Sequence, residues 1–106
     1  MSFFKDPAWR SEPYMAYVRT LQCVGCGSYA SGHAHHNISQ RFGSCKHSDA
    51  WTIPLCPTCH QLLHADWPAW ERENNTQDRH CLVLLNTALV NGVLELNKRR
   101  IKELTP

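Results

Sequence analysis

Two stretches decide how this chain folds: Cys23-Val24-Gly25-Cys26-Gly27 and Pro54-Leu55-Cys56-Pro57-Thr58-Cys59-His60-Gln61-Leu62-Leu63-His64. Each holds a Cys-x-x-Cys pair, and 29 residues lie between the pairs. Two residues between cysteines let both thiolates reach one ion from a tight turn, and a glycine beside the pair, here Gly27, frees the backbone to make it. A single pair could be a redox dithiol, but no βαβ pattern surrounds either one and the chain has two. The reading is a structural Zn²⁺ held by Cys23, Cys26, Cys56 and Cys59 in a closed tetrahedron. Such binding contributes on the order of 10 kcal/mol to folding. That is a large term for a chain of 106 residues, whose core alone is modest.

Outward from these pairs, the composition is that of one ordinary globular domain. Hydrophobic residues make up 42% and charged residues 19%, which excludes a disordered class. The net charge of +2 is too small to argue for a polyanionic partner, so nucleic-acid binding has to be argued from sites. The start, Met1 to Arg10, has no charged-then-apolar leader pattern. The longest apolar run, Cys81 to Val90, is interrupted by Asn86 and too short to span a bilayer. A cytoplasmic protein without a membrane segment is expected, and in that compartment tight cysteine pairs are metal ligands more often than disulfides. Of the six cysteines, Cys45 and Cys81 are left over; Cys81 is expected as a buried hydrophobe and Cys45 as a loop thiol.

The expected class is α+β: a small metal-binding domain with a structural zinc, flanked by an N-terminal and a C-terminal helix. Residues 1–21 form an N-terminal arm and helix, 22–66 the metal-binding core, and 67–106 the C-terminal helices. Tyr14, Tyr17, Val18 and Leu21 fall at i, i+3, i+4 and i+7 of a helix from Glu12 to Leu21, with Ser11 as N-cap and Pro13 in the first turn. Residues 22–56 read as loop-rich with two short strands. Pro57 to Ala65 is a helix, and Pro68 opens a short helical turn through Trp70. Thr76 caps a final helix whose apolar stripe is Leu82, Leu85, Leu89 and Val93, with a break at Asn91-Gly92. Lys98, Arg99, Arg100 and Lys102 crowd its C-terminus, the end of the dipole that favours cations.

Five of the seven histidines form two clusters, His33/His35/His36 and His60/His64. Side chains at i and i+4 share a helix face, so His60 and His64 can bind one ion. The zinc knot draws Cys26 towards Cys59 and so brings the first cluster beside that helix. Neighbouring residues on a strand point to opposite faces, so of His35 and His36 one can join the ion while the other cannot. Three imidazoles with open positions are a catalytic arrangement.

Cys23 to Gly27, His33 to His36, Ser48-Asp49 and Pro54 to His64, taken together from about Arg10 to Leu94, resemble an HNH (ββα-metal) endonuclease with a treble-clef zinc. The chain is similar in particular to phage and prophage recombination-associated, RecA-dependent (Ref-type) nucleases. The resemblance implies His35 as metal ligand and His36 as general base, with His60 and His64 as the remaining ligands. It implies Asp49, where the family usually has Asn, as the residue that orients the base, and 5′-phosphate and 3′-hydroxyl products. One catalytic divalent ion is expected beside the structural zinc. Imidazole ligation favours Zn²⁺, Ni²⁺, Co²⁺ or Mn²⁺ over Mg²⁺.

The expected function is therefore hydrolysis of DNA with little sequence specificity. Arg41, Lys46 and Arg19 would touch phosphates, helped by His47, Gly43 and the Lys98–Lys102 cluster, and a recombinase filament would be a further partner. His33 is read as a loop residue or a neighbour of the ligands, and His47 and His80 as surface residues. The rival is a zinc-stabilised DNA- or protein-binding module without catalysis. It explains the cysteines equally well but not the spacing of His35, His36, His60 and His64.

Overall fold

Capping explains where most elements begin. In the computed structural model, which describes residues 8–28, 33–39, 41 and 47–106, the Ser11 side chain accepts a hydrogen bond from the Tyr14 N–H and starts helix α1, Glu12–Arg19. Strands β1 (Ala34–His36) and β2 (Thr52–Pro54) follow. Next come α2 (Pro57–Ala65), α3 (Trp67–Asn74), α4 (Gln77–Val90) and α5 (Lys98–Leu104). This is a small mixed α/β fold with a two-stranded antiparallel sheet, in which Ala34 pairs with Pro54, His35 with Ile53 and His36 with Thr52. No helix among the described residues is long and apolar enough to cross a membrane.

The core has two parts. Ile53, Leu55, Leu63, Trp70 and Cys81 are buried around Cys23 and Cys59, with α2 and α3 packed on each other. Tyr14 and Val18 of α1 meet Ala88 of α4, with Tyr17, Leu84, Leu85 and Leu94 at the margin. The Trp9 carbonyl accepts from the Asp49 N–H at 2.8 Å, and the Trp9 ring lies 5.3 Å from that of Tyr14. The chain before α1 is thus tied to the turn before β2.

Three helical expectations need correction. The turn opened by Pro68 extends to Asn74, because Asp66 ends α2 and caps α3, accepting from the Ala69 N–H at 3.1 Å. Helix α4 faces the core with Gln77, Cys81 and Ala88, and of the expected stripe Leu85 packs at the core's margin while Leu82, Leu89 and Val93 are exposed. Leu82 and Leu89 are 59% and 52% exposed. Small side chains at Cys81 and Ala88 let α4 lie close to the sheet and α1, and a leucine at either place would hold it off. Finally, Lys98, Arg99 and Arg100 do not end α4. Gly92, at φ +74°, closes that helix in a Schellman turn, with Val93 N–H to Ala88 O at 2.8 Å and Gly92 N–H to Leu89 O at 3.2 Å. The three cations then occupy the first turn of a separate, wholly exposed α5, the unfavourable end of its dipole. Glu103 offsets them by pairing with Arg99 and Arg100.

The phase of α2 gives a direct test. Leu63 is fully buried and its neighbour Leu62 is 58% exposed. Leu63→Ala should therefore cost about 2–5 kcal/mol in denaturant unfolding, and Leu62→Ala should stay within about 0.5 kcal/mol of the parent.

Candidate metal centres and the His36–Asp49 pair

The four cysteines converge. Cys23 and Cys26 lie on a turn that Gly27 makes at φ +75°, with its N–H on the Cys23 carbonyl at 2.8 Å. Cys56 is the N-cap of α2 and its sulfur accepts from the Cys59 N–H at 3.3 Å. The Cys26 and Cys56 sulfurs are 3.7 Å apart, and the four sulfurs together form a cluster that could hold a metal ion. A Cβ on Gly25 would stand 3.0 Å from the Cys59 sulfur, so a larger residue there would press on the cluster. Hydrogen bonds from Ser28, then Cys56, lower the Cys26 thiol to about 6, while burial pushes the Cys59 thiol up. A cation bound there would allow four thiolates to coexist.

His35, on β1, and His60 and His64, on α2, form a second cluster of the same kind, their ligand atoms all within 4.8 Å of one another. The Nε2 atoms of His60 and His64 are 3.1 Å apart. The His35 ring centroid is 5.0 Å from that of His60 and 5.1 Å from that of His64. Burial, then the neighbouring imidazoles, lowers His35 to about 4, and the same causes lower His60. Neutral imidazoles are the form that binds metal ions. His33 stands beside this cluster, its Nδ1 3.2 Å from Nδ1 of His60.

His36 points to the other face of β1, where its Nε2 is 3.0 Å from Asp49 Oδ1. Asp49 also accepts from the Ser11 N–H at 2.8 Å and lies 3.4 Å from an Arg10 guanidinium nitrogen. Burial raises the Asp49 carboxyl, but the hydrogen bonds from Ser11 and His36 and the Arg10 charge outweigh it and hold the group below its ordinary value of 3.8. An ionised Asp49 can only accept, so the His36 proton sits on Nε2 and Nδ1 is left with its lone pair.

The residues expected to touch phosphate are placed less freely. The Arg41 guanidinium binds Glu71 and, at 2.9 Å, Asp78, and lies 5.5 Å from the Trp67 ring centre. Arg19 pairs with Glu12 at 2.6 Å. Lys46, Gly43 and Cys45 lie outside the described residues, while His47 is exposed. His80 is half-buried, bonded to the Asn74 carbonyl and set edge-on to Trp70. Sequence reading missed Gln77 and Glu71. Both are buried, with the Gln77 side chain on His35 at 3.0 Å and its backbone N–H on Glu71 at 2.9 Å. A glutamine one position after a helix cap carries no signal that it will be buried.

The lowered Asp49 carboxyl sets a pH dependence. A depressed folded-state value contributes stability that is fully present above the unfolded value and is lost as pH falls through the folded one. Melting curves of the parent and Asp49→Asn should differ by a constant amount above about pH 5. The gap should close as pH falls below the ordinary value of 3.8, because protonated Asp49 then resembles the amide. A gap that persists at low pH would assign the loss to shape and not to charge.

Residues 1–92 match a family described as "Protein of unknown function (DUF968)". The chain is also similar to "Uncharacterized protein YdfU" of Escherichia coli (strain K12), 35% identical over 98 residues. That alignment covers 88% of this chain and 28% of the relative, so the chain spans little more than a quarter of that protein's length. No solved structure matches it. With most of its length inside one family match, the chain belongs to the DUF968 family.

Proposed function

We propose that this protein is a metal-dependent endonuclease of the HNH type, with a structural zinc in a treble-clef setting at Cys23, Cys26, Cys56 and Cys59, that hydrolyses DNA phosphodiester bonds with low sequence specificity. The observation that carries the reading is the pairing of two arrangements on adjacent residues of β1. His35 joins His60 and His64 in a three-imidazole cluster, and His36 is bonded to a buried carboxylate. An isolated structural ion needs no such neighbour.

The donor sets suit the two ions. Sulfurs about 2.3 Å from a tetrahedral zinc would stand about 3.8 Å apart, and Cys26 and Cys56 are at 3.7 Å. At the second cluster His35, His60 and His64 would hold the divalent ion, leaving positions open. When bound, that ion supplies Lewis-acid stabilisation of the charge that develops on phosphate. The chain's own residues do the rest. Asp49 fixes the His36 ring with Nδ1 as the basic atom, and that atom takes the proton from the attacking water. Asp49 stabilises the imidazolium so formed, and Arg10, 62% exposed beside it, lends a cation for the phosphate. The proposal extends to a phage or prophage setting, DNA recombination and a recombinase filament as partner, all of which rest on the resemblance alone.

One observation favours the rival, a protein-binding module. Leu82, Val83, Leu89 and Val90 expose an apolar face on α4, while Arg19 and Arg41 are engaged with carboxylates.

Plasmid, single-stranded and junction DNA, offered with Mn²⁺ or Ni²⁺ and with recombinase filament present and absent, decide between the two. Cleavage should occur, and His36→Ala should lower it by at least about 10²-fold with melting temperature and zinc content near those of the parent. Failure of the parent to cut any DNA form would leave the binding module as the better reading. Elemental analysis should find one tightly held zinc that Cys56→Ser loses together with cooperative folding, and a folded Cys56→Ser protein with full zinc would overturn the structural site.

A further inference from the structure

We infer that Gln77, at the start of α4, is a positioning residue that selects the ligand atom of His35, holding its ring in the Nε2–H form so that Nδ1 faces the metal. The inference rests on reading His35, His60 and His64 as a metal centre, and it adds a residue that no part of that reading supplies.

The hydrogen-bond pattern leaves one assignment. The Gln77 side chain is fully buried, so its amide has no water to turn towards. Its Oε1 is 3.0 Å from the Ile38 backbone N–H, which can only donate. Its Nε2 is 3.2 Å from Glu71 Oε2, and the Gln77 backbone N–H reaches the same oxygen at 2.9 Å. Turning the amide over would set a donor against the Ile38 N–H and an acceptor against a carboxylate, so Oε1 faces β1. His35 Nε2 lies 3.0 Å from that Oε1 and must therefore carry the ring proton. What remains for the cluster with His60 and His64 is Nδ1, with its lone pair.

Glu71 is itself held. Arg41 binds its carboxylate and also Asp78, whose Oδ1 accepts from Asn37 at 2.6 Å and Ser39 at 3.0 Å. Helices α3 and α4 and the chain after β1 thus brace the amide from three sides. His35 comes from a three-residue strand, which could not fix its own ring, whereas His60 and His64 share one helix. An outer partner is needed most where the inner ligand stands alone. Ligand imidazoles generally donate their second N–H to such a partner, and losing it weakens metal binding about 10- to 100-fold.

The test uses the full chain with its cysteine-bound zinc in place. Long-range proton–nitrogen NMR spectra of the parent should show His35 in the Nε2–H form, and added Zn²⁺ should move its Nδ1 resonance. A His35 proton on Nδ1, with His60 and His64 still responding to Zn²⁺, would overturn the role of Gln77 and leave the metal centre standing. No response from any of the three would remove the metal centre and this inference with it. In calorimetry, Gln77→Met should weaken Zn²⁺, Ni²⁺ and Co²⁺ binding about 10- to 100-fold while the cysteine-bound zinc is retained in full. Unchanged affinity would overturn the proposal. Should Gln77→Met fail to fold, the spectra of the parent decide alone.

Discussion

Two strands of three residues each, Ala34–His36 and Thr52–Pro54, cannot hold a fold together by their own hydrogen bonds. Beside them four sulfurs meet, because the turn that carries Cys23 and Cys26 precedes β1 in the chain and Cys56 begins α2 directly after β2. On the proposed reading, an ion shared by the four sulfurs clamps the turn to the helix start and closes the hairpin from outside. β1 stands beside the face of α2 that carries His60 and His64, so the two clusters share the same elements. Gly25 shows how tight the junction is, since even a methyl group there would meet the Cys59 sulfur.

The second organising element is polar. A chain this short buries few large apolar side chains, and part of the space between α3, α4 and β1 is filled by Glu71, Gln77, Asn37 and Ser39. Buried polar groups of this kind add little net stability, but removing one member leaves the others unsatisfied at about 1–3 kcal/mol each. They therefore specify one arrangement more than they strengthen it. Arg41 completes the set, and its charge is balanced by Glu71 and Asp78 before any ligand arrives.

These two organising elements differ in how far the sequence reveals them. The Cys-x-x-Cys pairs, the Pro57-to-Ala65 helix, the Ser11 and Thr76 caps and the burial of Cys81 all follow from local rules of spacing and capping, which act over a few residues. The polar network does not, because Gln77 meets His35 across 42 residues and Arg41 meets Glu71 across 30. The phase of α4 was hidden for a related reason. Apolar residues occur on all sides of it, so periodicity could not say which side meets the core. The small residues that decide its distance from α1, Cys81 and Ala88, stand out only once the partner helix is known. The cations of Lys98–Arg100 matched a C-terminal preference that operates only if the helix continues, and Gly92 stops it.

The two faces of β1 give neighbouring histidines different surroundings, and on the proposed reading that contrast suits them to different tasks. His35 is almost wholly buried, and burial lowers its affinity for a proton, which frees a lone pair for a cation at neutral pH. His36 is about one-third exposed and its Nε2 is bonded to the Asp49 carboxylate, which leaves Nδ1 turned away from that bond. A strand is the element that separates adjacent side chains in this way, since its pleat turns successive residues to opposite sides. On the proposed reading, a three-residue strand suffices for catalysis because it supplies one histidine to the three-imidazole cluster and the next to the buried Asp49 carboxylate.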